Sequence, residues 1–157
     1  MKTSIRPLKN SDINECVRLT SEAFSPAEAL YSKQTFKWSL GKSRGWWNAK
    51  YFVALVNGNV VGVIGYYSSP IDPKGILWTG WYAVKKEFRS KGMGSLLMEH
   101  LIKAAKKMKT RHLCVWMEES GANRISKYYS RFGFVVKGRI ENYFENGDDM
   151  VYMAKRL

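Results

Sequence analysis

The stretch RSKGMG, Arg89 to Gly94, separates two segments of different character. Ahead of it runs ILWTGWYAV, Ile76 to Val84, apolar and aromatic almost throughout, which reads as a central strand covered on both faces. Behind it runs SLLMEHLIKAAKKMK, Ser95 to Lys109. There Leu97, Leu101, Ala105 and Met108 share one helical face, with Lys103, Lys106 and Lys107 off it. Two glycines and two cations thus join a strand to a helix. Glycine lets backbone approach a ligand closely. Amides at a helix start converge where the dipole adds about half a positive charge. Arg89 and Lys91 add full charges, so the stretch has the makings of a pyrophosphate cradle. As a bare motif it suits a plain turn into a helix equally well. It is not a P-loop, because GxxxxGK is absent, nor a dinucleotide fingerprint, whose third glycine would fall at Leu97.

Outward from this point the chain alternates between strand and helix patterns. Upstream, Tyr51–Val56 and Val60–Tyr67 are rich in strand formers and flank Asn57-Gly58-Asn59, a strong hairpin signal. Thr3–Leu8 reads as a first strand. Asn10-Ser11-Asp12 caps a helix with Ile13, Cys16, Val17, Leu19 and Phe24 at helical spacing. Pro26 opens a second helix, Ala27 to about Leu40. Gly41–Asn48, basic and Trp-rich, and Ser68–Gly75, with two prolines, read as loops. Downstream, His112–Met117 is a strand, Ala122–Phe132 a helix ended by Gly133, and Phe134–Tyr143 with Met150–Leu157 a strand pair around Glu145-Asn-Gly-Asp148. The order is β-α-α-β-β-β-α-β-α-β-β, with one βαβ crossover centred on RSKGMG.

The 157 residues suit one domain, 1–157, with a real core; 45% hydrophobic residues argue against disorder. MKTSIRPLKNSD has no apolar signal region, and no stretch reaches the roughly 18 apolar residues of a membrane span, so a soluble, cytoplasmic protein is expected. Cys16 and Cys114 stand apart with no ligand spacing, which points to reduced thiols and to no metal. Lys and Arg outnumber Asp and Glu by 26 to 13, a net charge of +13. That excess favours a phosphorylated cofactor, nucleic acid or an acidic peptide, or is simply a basic surface.

The arrangement AV-KKEF-RSKGMG-SLL, then a strand, then YYSRFGF (Tyr128 to Phe134), resembles the GNAT superfamily of N-acetyltransferases. Its signatures are R/Q-x-x-G-x-G/A between strand and helix, and a helix ending in FYxxLGF. The resemblance covers nearly the whole chain. It implies an α/β (α+β) GNAT fold: a mixed, mostly antiparallel sheet of six to seven strands, its central parallel pair splayed to hold acetyl-CoA, flanked by about four helices. It also implies an acyltransferase that moves an acetyl group from acetyl-CoA to a primary amine. Backbone of Tyr82, Ala83 and Val84 would meet the pantetheine. Amides of Arg89, Ser90, Lys91, Gly92, Met93 and Gly94 would hold the pyrophosphate. Gly80 marks either a bulge that splays the strand or a packing gap. Tyr129 matches the tyrosine that protonates the departing thiolate. A phenol of pKa about 10 is protonated at neutral pH and suits that task. Many members carry an asparagine seven residues earlier. Ala122 stands there, with Asn123 next to it as the substitute.

A carboxylate on the central strand, the base in several relatives, is missing from WTGWYAV. Glu118 is the candidate in its place, against a water chain or an acceptor that arrives deprotonated. The C-terminal run RIENYFENGDDMVYMAKRL resembles the protein N-terminal acetyltransferases, including the ribosomal-protein alanine type. This points to a protein or peptide α-amine as acceptor, with a small-molecule amine as the alternative. Trp46, Trp47 and Tyr143 are the candidate acceptor residues, the two tryptophans also reading as a core patch. Other classes are a basic RNA-binding module and a CoA-binding sensor without turnover; nucleic acid would explain the charge but not the two motifs at their spacing. The chain would act as a monomer or homodimer.

Overall fold

The computed structural model describes residues 2–41 and 48–157, without the side chains of 121–123. Strands β1 (Thr3–Pro7), β2 (Asn48–Val56), β3 (Asn59–Ser68), β4 (Ile76–Thr79), β5 (Ala83–Val84), β6 (His112–Glu118), β7 (Val135–Ile140) and β8 (Met150–Arg156) form one sheet. Helices α1 (Ile13–Ala23), α2 (Pro26–Leu40), α3 (Met93–Lys107) and α4 (Glu119–Ser130) cover it. The order across the sheet is β1-β2-β3-β4-β6-β8-β7, with β5 paired to β3. Only β4 and β6 run parallel; the remaining pairs are antiparallel. The sheet has eight strands because the run from Ile76 to Val84, expected as one strand, is broken at residues 80–82.

Local chemistry sets several boundaries. Asn57 (φ 49°) and Gly58 (φ 85°) both turn with positive φ, the geometry of a type I′ hairpin. Ser25 and Glu28 form a capping box: the Glu28 amide donates to Ser25 Oγ at 3.2 Å and the Ser25 amide to Glu28 Oε2 at 2.8 Å, with Pro26 in the first turn. Asp12 is buried ahead of α1. Its carboxylate accepts from the Lys9 amide at 2.7 Å and from the Arg6 fork at 2.6 and 2.9 Å.

The core lies on both sides of the sheet. On β2, Phe52, Ala54 and Val56 face one apolar cluster while Tyr51, Val53 and Leu55 face the other. The first cluster joins α3 (Leu97, Met98, Leu101, Ala105) to Leu77, Leu113, Val115, Met117 and Met153, with Tyr129 and Phe134 at its end. The second joins α1 and α2 (Cys16, Leu19, Phe36) to Val53, Val63 and Ala83. So α3 and α4 pack on one face, whereas α1 and α2 pack on the other over β2, β3 and β5. Cys16 is fully buried and free, and Cys114 is half-buried and free.

Candidate active site

The parallel ladder between β4 and β6 is three residues long. It pairs Ile76 with His112, Leu77 with Leu113 and Trp78 with Cys114, and stops. Beyond that point β6 continues to Glu118 bonded to β8. The other chain bends away at Gly80 and resumes as β5, which bonds β3 through Gly62↔Val84 and Val63↔Ala83. A slit therefore opens between β5 and β6, with the second edge of β5 facing it.

The cause lies thirty residues upstream. Tyr51, 2% exposed, pushes its ring against Gly80 so closely that any Cβ there would collide with the phenol oxygen. Its hydroxyl accepts from the Trp81 amide at 3.3 Å. Gly80 is thus both the bend and the socket for Tyr51, which joins the two readings the residue allowed.

Past β5 the chain makes a short 3-10 turn (Lys86–Phe88) and reaches the cradle. Ser90 (φ 59°) and Gly92 (φ 83°) both adopt left-handed backbone, and Gly92 caps α3. The helical ladder begins with the Leu96 amide on the Gly92 carbonyl at 3.0 Å, so the amides of Met93 to Ser95 lie ahead of it as the unused donors of a helix start. Arg89 Nε donates to the Val84 carbonyl at 2.9 Å, which ties the loop to β5. Lys91 Nζ stands 5.8 Å from the Phe88 ring. Tyr82, Ala83, Val84 and Arg89 to Gly94 are therefore brought along one side of the slit.

Gly94 packs on two phenols. A Cβ there would sit 2.6 Å from Tyr82 Oη and 3.1 Å from Tyr128 Oη. Those hydroxyls are hydrogen-bonded to each other at 2.5 Å, with the Ser95 side chain within reach of Tyr128. Burial, and next the bond with Tyr128, pushes the Tyr82 phenol well above its ordinary range. Tyr128 thus ties the end of α4 to Tyr82.

Tyr129 lies beside it, 5% exposed, edge-on to Phe134 at 5.1 Å. Its hydroxyl has no hydrogen-bond partner among the described residues. Yet Thr79 Oγ1 is the only fully buried unpartnered side-chain polar atom there, so the Tyr129 hydroxyl keeps some open surface. Burial pushes its pKa far up, which holds it protonated.

Glu118 ends β6, exposed, on the strand face opposite the core residues Leu113, Val115 and Met117. Trp116 shares that face. Residues 141–149 fold back onto the start of α4. The Glu119 amide donates to the Asp149 carbonyl at 2.9 Å and the Ser120 amide to Asp148 Oδ2 at 3.3 Å, while Arg139 bridges Glu119 and Asp149. This sets Phe144 6.1 Å from the Trp116 ring, with the exposed Tyr143 5.0 Å from Phe144. Helix α4 accordingly starts at Glu119 and not at Ala122. Trp46, Trp47 and the side chain of Asn123 lie outside the described residues.

Trp116, Tyr67 and Trp81 were not singled out from the sequence. Trp116 carries a signal all the same: in HLCVWME it stands on the phase opposite to Leu113, Val115 and Met117, where a surface strand carries polar residues.

A family model described as an acetyltransferase (GNAT) domain matches residues 47–136, from the start of β2 to β7. The chain belongs to the GNAT acetyltransferase family. Among curated proteins it is 27% identical over 148 residues to an uncharacterized N-acetyltransferase of Methanocaldococcus jannaschii, covering 86% of this chain and 63% of that relative's length. Solved GNAT structures share the fold. A GNAT-family acetyltransferase of Desulfovibrio desulfuricans superposes with a TM-score of 0.87 at 18% identity, over 99% of both chains. The ribosomal-protein-S18-alanine N-acetyltransferase of Escherichia coli gives 0.77 at 22% identity, over 99% of this chain and 94% of that one. The ribosomal-protein-alanine N-acetyltransferase of Brucella melitensis gives 0.78 at 23% identity, over 98% and 99%. The family uses acetyl-CoA as co-substrate, and the left-handed Gly92, the amides before Leu96 and the bare edge of β5 suit its pyrophosphate and pantetheine amides.

Proposed function

We propose that this chain is an acetyl-CoA-dependent N-acetyltransferase whose acceptor is the α-amine of a peptide or protein. The observation that carries the reading is the parting of β4 and β6 just past Trp78 and Cys114, beside the amides that open α3. The co-substrate supplies an activated acetyl group. The loop from Arg89 to Gly94 binds its pyrophosphate, and the free edge of β5 at Tyr82 to Val84 orients the pantetheine. Glu118, at the end of β6, takes a proton from the incoming ammonium, which must be neutral to attack. Tyr129 gives its hydroxyl proton to the departing thiolate. Residues 141–149, pinned to α4, favour a peptide because they wall the acceptor side beyond the reacting nitrogen.

The test is CoA release across a panel of peptides with different N-termini, small amines and lysine derivatives, with Tyr129→Phe beside the parent. Peptide turnover that falls in the variant supports the reading. Turnover of small amines alone moves the acceptor to the small-molecule class. Acetyl-CoA stabilisation without turnover marks a sensor. Absence of stabilisation, with affinity for RNA that falls steeply with salt, replaces the enzyme by a nucleic-acid-binding module.

A further inference from the structure

Among the described residues, no helix packs on one part of the sheet. On the face opposite α3 and α4, the residues Tyr67, Trp78, Cys114, Trp116 and Tyr152 belong to neither apolar cluster as buried members, and Trp116 is 43% exposed. They are cross-strand neighbours: Tyr67 pairs with Trp78, Trp78 with Cys114, and Trp116 with Tyr152. Trp116 Nε1 donates to Tyr67 Oη at 3.4 Å. Since β4 lies between β3 and β6, that bond passes over β4 near the point where the slit begins. The rings of Trp78 and Tyr152 stand 6.2 Å apart. Helices α3 and α4 pack on the other face of the sheet, which leaves this aromatic side for an acceptor.

The rim differs in charge from the rest of the chain. Glu118, Glu119, Glu141, Glu145, Asp148 and Asp149 gather there, six of the 13 carboxylates in a chain of net charge +13. Arg139 is shared between Glu119 and Asp149, which leaves that trio one negative charge, and Asp148 holds the Ser120 amide. Glu118, Glu141 and Glu145 form no ion pair among the described residues. Aromatic faces attract cations, and unpaired carboxylates do so at longer range. The basic body would repel a cationic acceptor everywhere else.

Building on the N-acetyltransferase reading above, we infer that this face seats the first residue of an acceptor peptide. That residue is bulky and apolar, aromatic above all, and cationic residues follow it. Trp116, bracketed by Tyr67 and Phe144, is the contact for its side chain. Three strands span about 10 Å, more than the reacting amine needs, and the carboxylates lie beyond them.

Three tetrapeptide amides test this: one starting Phe-Lys, one Ala-Lys and one Phe-Glu. The expected result is a kcat/KM about tenfold higher for Phe-Lys than for Ala-Lys, the size of one well-placed apolar contact. A similar advantage over Phe-Glu should shrink at high salt. Trp116→Ala should bring the Phe-to-Ala ratio close to one, and Trp116→Phe should keep it. Equal rates for the two Lys peptides, a preference for Phe-Glu, or a uniform loss in Trp116→Ala would overturn the inference. So would turnover of 2-phenylethylamine without any peptide. Stabilisation by acetyl-CoA with no peptide turned over defeats the acceptor seat alone. Loss of that stabilisation defeats the enzyme reading beneath it.

Discussion

The hydroxyls of Tyr82 and Tyr128 meet 2.5 Å apart directly beneath Gly94. Tyr82 precedes β5, Gly94 opens α3 and Tyr128 ends α4, so one hydrogen bond locks three elements that border the slit. Removing the Tyr128 hydroxyl strands Tyr82, whereas removing the Tyr82 hydroxyl leaves Tyr128 only the Ser95 side chain. Tyr82→Phe or Tyr128→Phe should cost about 1–3 kcal/mol in denaturant unfolding, and the double variant should cost less than the sum of the two. Calorimetric titration with CoA should show weaker binding in each. Equal, additive losses would mean the two phenols act separately.

Gly94→Ala should be worse for the ligand than for the fold. The new methyl group would push on both phenols, a strain of about 1–3 kcal/mol. It would also displace the first amides of α3. CoA binding should fall in the variant while far-UV circular dichroism stays that of the parent.

Tyr129→Phe should separate activity from stability. Loss of a general acid lowers kcat by about 10²–10⁴-fold. The deleted hydroxyl has no hydrogen-bond partner among the described residues, so the melting temperature should hold or rise. Because burial raises this phenol above its ordinary value near 10, it stays protonated through neutral and mildly alkaline pH. Any loss of activity below about pH 10 should therefore persist unchanged when the residual rate of Tyr129→Phe is profiled.

Stability should decline at both ends of the pH range. Burial is the first cause that raises Tyr51, Tyr82 and Tyr129. The unfolded chain then loses these protons first, so stability is full below about pH 10 and falls as pH rises past it. Asp12 has the opposite sign. The Arg6 hydrogen bond depresses it, so its contribution is present above about pH 4 and is lost as pH falls through the folded value. Urea midpoints across pH should show both limbs, and Asp12→Asn should weaken the acid one.

Much of this was legible locally. Asn57-Gly58 marked its hairpin, Pro26 its helix, and RSKGMG the join between the central strand and α3. What escaped reading depends on partners distant in sequence. The strand from Ile76 to Val84 looks continuous, and it breaks because Tyr51 on β2 occupies the space at Gly80. Helix α4 starts early because Asp148 and Asp149, nearly thirty residues later, hold its first turn. Tyr128 and Tyr129 look alike in YYSRFGF. Only the approach of Tyr82 decides which hydroxyl is tied and which is left without a partner among the described residues.

The bare edge of β5 also bears on self-association. Unpaired strand edges invite other chains, and proteins commonly blunt them. The rims of this sheet are β1 and β7. The first ends in Pro7, and the second is bulged between Val136 and Gly138 with Lys137 inside the bulge. The edge facing the slit needs no such guard, because it lies in the interior of the sheet with strands on either side. A protein can keep backbone donors and acceptors open there for a slender ligand without offering them to a second polypeptide, so readiness for the ligand carries no aggregation hazard.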